Sequence, residues 1–82
     1  MEPEVILKKV NEVFIDILDD DKIVLSPLTS ADDVEGWDSL THIQLVVAIE
    51  KHFKIRFSSL EIQSWKNIGD MISCIEARLK SS

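Results

Sequence analysis

Apolar residues return every three or four positions in three stretches of this chain, a rhythm that admits helices and little else. Ile6, Val10, Val13 and Ile17 form the first stripe, which Val5, Phe14 and Leu18 widen. Pro3 opens it at a first-turn position, where its missing N–H costs nothing. The acidic run at 19–21 is unfavourable at a helix C-terminus, where the macrodipole is already negative. The spacing therefore predicts a helix from Pro3 to about Leu18. A second stripe starts at Asp38 or Ser39 and runs to about Phe53, and a third puts Ile68, Met71, Ile72, Ile75 and Leu79 on one face. Between them "KIRF" reads as a short extended link. Ser58 with Glu61 at capping-box spacing predicts a short helix over 60–65, and Asn67 with Asp70 repeats that spacing. The expected class is all-α: a four-helix bundle with a short third helix and a long loop between helices one and two.

A chain of 82 residues is expected to form a single domain spanning 1–82. A domain this small buries only about 60–65% of its unfolded surface. The single cysteine, Cys74, excludes an internal disulfide and cannot by itself build a metal site. "MEPEVILKKV" carries acids early and has no long apolar run, so neither a signal peptide nor a membrane span is expected and the cytoplasm is the expected location. Net charge is −6, which argues against nucleic acid, since phosphate binding needs a basic footprint. The charge is uneven. Residues 1–38 hold eleven acids against three bases, whereas residues 39–82 hold four acids against six bases. Ser39 sits where the sign changes.

The connection over 19–37 is long for so small a domain, and such connections usually carry structure of their own. Ile23, Val24, Leu25 and Leu28 are expected to tuck under the helices, and "SADDV" to add a short turn capped by Ser30 or Thr29. The second helix has two apolar faces. Leu45, Ile49 and Phe53 fall together with Val46 alongside, while Leu40, Ile43 and Val47 lie on nearly the opposite side. A small bundle buries one such stripe; the other is expected to stay partly exposed as a docking surface beside Ser39.

The segment "GWDSL" brings the acidic loop into that helix. Asp38 is among the best N-cap residues and complements the helix dipole. A serine in the first turn needs no explanation of its own, so three roles stay open: helix start, hydrolase nucleophile, attachment point. The hydrolase role fails on geometry. No strand precedes the motif, G-x-S-x-G is absent, and although His42 could approach Ser39, no third group orients it and nothing suggests an oxyanion hole. Attachment fits better, because a phosphodiester on the hydroxyl would meet helix N–H groups and the positive end of the dipole.

"GWDSLTHIQLVVAIEKHFKIRF", followed by "NIGDMISCIEARL", resembles the central and final segments of acyl carrier proteins, and the likeness covers nearly the whole chain. The resemblance implies that Ser39 carries 4′-phosphopantetheine through a phosphodiester. It also implies that Asp38 helps a phosphopantetheinyl transferase hold its magnesium. The implied function is a free-standing carrier that presents thioester-bound acyl groups and catalyses nothing. Its implied partners are that transferase together with acyl-loading, acyl-transfer or condensing enzymes, and the chain is expected to be a monomer with no membrane partner. A cofactor-free helical interaction module and an aminoacyl or peptidyl carrier stand as alternatives. Docking in the family uses the second helix, which here implies Leu40, Ile43, Val47, Glu50 and Lys51.

The likeness is not complete. Fatty-acid carriers place several acids on this helix, whereas Thr41, Gln44, Lys51 and His52 stand at the matching positions and only Glu50 is kept. That pattern, with Trp37 before the motif, favours a specialised pathway over housekeeping fatty-acid synthesis. His42 and His52 are expected at the helix surface or a pocket edge, Cys74 at the margin of the last stripe, and Trp65 in the core between the third and fourth helices. An indole there would fill volume that a long acyl chain needs.

Overall fold

The computed structural model describes residues 2–81. Four helices follow one another: α1 (Pro3–Leu18), α2 (Ser39–Phe53), α3 (Ser59–Ser64) and α4 (Ile68–Ser81). A 3-10 turn, Ala31–Asp33, interrupts the connection between α1 and α2. α1 packs against both α2 and α4, and α3 leans on α4. The all-α, four-helix expectation is borne out. The predicted ends of α1 and α2 hold to the residue, and those of α3 to within one. None of these helices is long and apolar enough to cross a membrane.

The periodic stripes become the core. Ile6, Val10 and Phe14 from α1, Leu45 and Ile49 from α2, and Ile68, Met71 and Ile75 from α4 are fully buried. Each such side chain contributes about 1.5–3 kcal/mol relative to exposure. The second stripe of α2 stays out of this core. Leu40, Ile43 and Val47 are 69%, 63% and 42% exposed, so the helix does present an uncovered apolar face.

The long connection is pinned twice. The Asn11 side chain donates to the Ile23 carbonyl at 3.1 Å and accepts the Leu25 N–H at 2.6 Å. These bonds hold residues 23–25 extended, which turns Ile23 and Leu25 inward and Val24 outward. Further along, the Ile68 N–H donates to the Thr29 carbonyl and the Gly69 N–H to the Pro27 carbonyl, both at 2.8 Å. Two otherwise unpaired donors at the start of α4 thereby find acceptors in the loop. Gly69 suits this close approach, because a Cβ would stand only 3.0 Å from the Pro27 oxygen. The expectation that all four loop aliphatics tuck in is corrected: Val24 and Leu28 are 87% and 83% exposed. Val24 falls on the outer side of the extended run, and Leu28 on a turn closed by Thr29 N–H to the Ser26 carbonyl.

Caps set the remaining boundaries. Asp19 and Lys54 close α1 and α2 in the left-handed region, and the Ile55 N–H reaches back to the Glu50 carbonyl. Ser58 and Glu61 form the expected reciprocal box on α3. At α4 the box is displaced by one residue: Asn67 accepts the Asp70 N–H, but the Asp70 carboxylate takes the N–H of Lys66.

Glu61 also ties α3 to α4, accepting from the Arg78 guanidinium and the Cys74 thiol. The Ser58 backbone N–H, then Arg78, lower its carboxyl to about 2 from an ordinary 4.5. A folded value below the unfolded one means that ionised Glu61 stabilises the fold above about 4.5, and that this contribution is lost as pH falls toward about 2. Glu61→Gln is accordingly expected to flatten the acid limb of a stability–pH profile in that window. An unchanged profile would show that the clasp adds nothing.

Candidate functional site

The stretch before α2 is built to fix the first turn of that helix. Gly36 sits at φ +90°, a conformation that side chains disfavour, and turns the chain into Trp37 and Asp38. Asp38 caps α2, its Oδ1 accepting the N–H of Leu40 at 3.0 Å and of Thr41 at 2.9 Å. The Thr41 hydroxyl accepts the Asp38 N–H at 2.8 Å and donates to the Gly36 carbonyl at 2.7 Å. Thr41 thus serves where a capping box more often has Glu or Gln. These bonds, led by the Thr41 N–H, hold the Asp38 carboxyl below its usual range, so it is ionised at neutral pH.

Ser39 is the first residue of α2, exposed, and its hydroxyl has no hydrogen-bond partner among the described residues. The expectation that an anion there would meet several free N–H groups is narrowed by the cap. Asp38 already takes those of Leu40 and Thr41, and the His42 N–H bonds the Asp38 carbonyl. The Ser39 N–H and the helix dipole remain.

An open cleft of about 720 Å³ lies between the start of α2, α3 and the α3–α4 link. Ser39 lines it together with Trp37, His42, Ile43, Trp65 and Lys66. The Trp37 Nε1–H donates to His42 Nδ1 at 3.0 Å, which fixes the neutral imidazole as the tautomer protonated at Nε2. The two rings lie nearly parallel with centroids 6.0 Å apart. Trp37 meets the buried Phe14 edge-on at 5.0 Å, and Trp65 stands edge-on to both His42 and Phe57. Five rings thus run in contact from the core to the α2–α3 link. His42 occupies the expected pocket edge.

The placement of Trp65 corrects the expectation that it fills the core. The backbone at Trp65 is extended, α3 buries none of its residues, and the link runs over the surface of the bundle. The indole is consequently half-buried and walls the cleft. Nothing in the residue pattern signals the Trp37–His42 hydrogen bond, although an aromatic and a histidine five residues apart across a helix start permit one.

The other expected site residues fall on the exposed side of α2. Lys51 is exposed near its end. Glu50 has one oxygen held by the Phe57 N–H at 2.8 Å, which secures the α2–α3 link. Cys74 lies half-buried against Glu61, and burial followed by that carboxylate raises its thiol to about 11. Its sulfur is therefore held as the thiol at neutral pH.

Comparison with known proteins agrees with this geometry. Residues 8–75 match the model of the family described as "Phosphopantetheine attachment site". The chain is 31% identical over 74 residues to an acyl carrier protein of Phenylobacterium zucineum (strain HLK1), an alignment covering 90% of this chain and 94% of that protein. The solution NMR structure of a holo acyl carrier protein from Geobacter metallireducens is similar at a TM-score of 0.86 and 41% identity. That match covers 92% of this chain and 86% of the other.

Proposed function

Because this chain belongs to the acyl carrier protein family, whose members bear 4′-phosphopantetheine and carry rather than catalyse, we propose that Ser39 is the residue that takes the arm. One observation carries the assignment: Ser39 presents an exposed, unengaged hydroxyl at the rigidly capped start of α2, on the edge of a cleft. When attached, the arm supplies the terminal thiol on which acyl groups are held as thioesters. The residues of the chain do the remaining work. Asp38 and Thr41 fix the first turn, so the root of the arm has one position relative to α2. Asp38 keeps one carboxylate oxygen outside the cap, which fits a role in holding the magnesium of the phosphopantetheinyl transferase.

Members of this family meet a phosphopantetheinyl transferase and acyl-handling enzymes. The docking surface proposed here is the exposed stripe Leu40, Ile43 and Val47, bordered by Glu50 and Lys51. Charge along α2 runs from Asp38 at the root of the arm to Lys51, His52, Lys54 and Arg56 at the far end. A complementary partner is basic near the arm and neutral or acidic beyond it. That polarity favours a specialised acyl pathway over housekeeping fatty-acid synthesis.

Coexpression with a broad-specificity phosphopantetheinyl transferase tests the assignment. Intact mass is expected to show a single phosphopantetheinyl addition, and fragmentation of the tryptic peptide spanning 23–51 should place it on Ser39 rather than Ser26 or Ser30. A protein that stays unmodified with several transferases, or carries the mass elsewhere, would overturn it.

A further inference from the structure

Both tryptophans of the chain, Trp37 and Trp65, line the same cleft as Ser39, with His42 between them. All three rings are half-buried, packed against neighbours on one side and bordering the cleft on the other. Anchoring the loop to the bundle accounts for Trp37, whose ring rests on Phe14. Trp65, on the α3–α4 link, likewise packs against the core on one side and presents its ring to His42 and Phe57. The bundle interior offers a poor alternative. Leu45, Ile49, Ile68, Met71 and Ile75 are sealed at 0% exposure, and a chain could enter only by parting them.

The polar lining carries one charge of each sign, Asp38 and Lys66. Asp38 is tied to backbone N–H groups, whereas the Lys66 ammonium has no ion pair among the described residues. Lys66 and the His42 Nε2–H supply donors beside the flat aromatic walls, while the ionised Asp38 places one negative charge at the Ser39 end. The volume of about 720 Å³ falls in the range of small-molecule sites. We propose that this cleft, rather than the bundle interior, receives the cargo of the Ser39 arm, and that it favours short planar acyl groups, aromatic or conjugated, over long saturated chains. Such a cargo stacks or stands edge-on against the indoles and offers its oxygens to Lys66. The inference rests on Ser39 as the arm-bearing residue.

The test uses the holo protein loaded in parallel with benzoyl, cinnamoyl and octanoyl groups. The two indole Nε1–H resonances report on the cleft, and the methyl resonances of Leu45, Ile49 and Ile75 report on the interior. The aryl cargoes are expected to move both indole signals and leave the methyls in place, with octanoyl moving the indoles less. Trp65→Leu should lower the docked fraction of an aryl cargo about three- to tenfold, the worth of one aromatic pair. The wild-type comparison stands even if that variant folds poorly. Interior methyls that shift with octanoyl while the indoles stay still would overturn the proposal, as would indoles that respond equally to aryl and octanoyl groups or to neither. Failure of the chain to form holo protein at Ser39 would instead bring down the attachment assignment, and this inference with it.

Discussion

Ser39→Ala is expected to give a folded protein that gains no phosphopantetheinyl mass under conditions where the wild type is fully converted. Folding should survive, because the Ser39 side chain is exposed and makes no hydrogen bond within the described residues. The cap of α2 belongs to Asp38 and Thr41, and alanine is a good residue in a helix. The loss should therefore be complete in mass and absent in circular dichroism. Ser59→Ala provides the control, since Ser59 lines the same cleft and should leave modification intact. Asp38→Asn separates the two duties given to Asp38. Asparagine caps a helix about as well as aspartate, so stability should hold. It lacks the charge to hold magnesium, so the rate of modification should fall. Equal rates for Asp38→Asn and wild type would leave Asp38 as a cap alone.

Val47→Asp is expected to cut the rate of acyl transfer with a cognate enzyme by about thirtyfold or more, the scale of a buried anchor worth 2 kcal/mol. Val47 is 42% exposed in the free protein, so an aspartate there is tolerated in the fold and damaging only when a partner covers it. The deficit should persist at all ionic strengths. Lys51→Glu should behave differently. An exposed charge at the rim contributes about 0–1 kcal/mol and acts mainly on encounter, so its effect should shrink as salt rises. It should also improve recognition by fatty-acid synthesis enzymes, whose surfaces expect an acid at that position. Transfer rates measured at low and high salt for both variants separate anchor from steering. If Lys51→Glu changes neither partner set, charge on α2 selects nothing.

Most of the helical frame could be read in the chain because apolar spacing and caps agreed with each other. Ile6, Val10 and Phe14 mark the buried face of α1, and Asp38 marks the start of α2, before any contact is known. The two faces of α2 were legible for the same reason, since a small bundle cannot cover both. What escaped depends on tertiary partners. Val24 and Leu28 read as core by composition, yet Asn11, from another element, leaves Val24 on the outer side, and the Ser26–Thr29 turn leaves Leu28 exposed. Trp65 read as core by size, but the course of the α3–α4 link leaves it at the rim. Ser39 was legible as an attachment residue only through family likeness. Its local chemistry, a first-turn serine after an aspartate, fits an ordinary helix start equally well.

The pins on the connection between α1 and α2 also determine how the molecule loosens. Ile68 and Gly69 find their hydrogen-bond acceptors in Thr29 and Pro27, so the first turn of α4 cannot fray without releasing the loop, nor the loop without exposing that turn. The two segments are expected to open as one cooperative unit, with their amide protons exchanging through a shared event rather than separately. Ser39 stands just outside that unit, on a helix start held by bonds of its own. The proposed root of the arm is thus expected to keep its place through openings that mobilise the chain leading up to it.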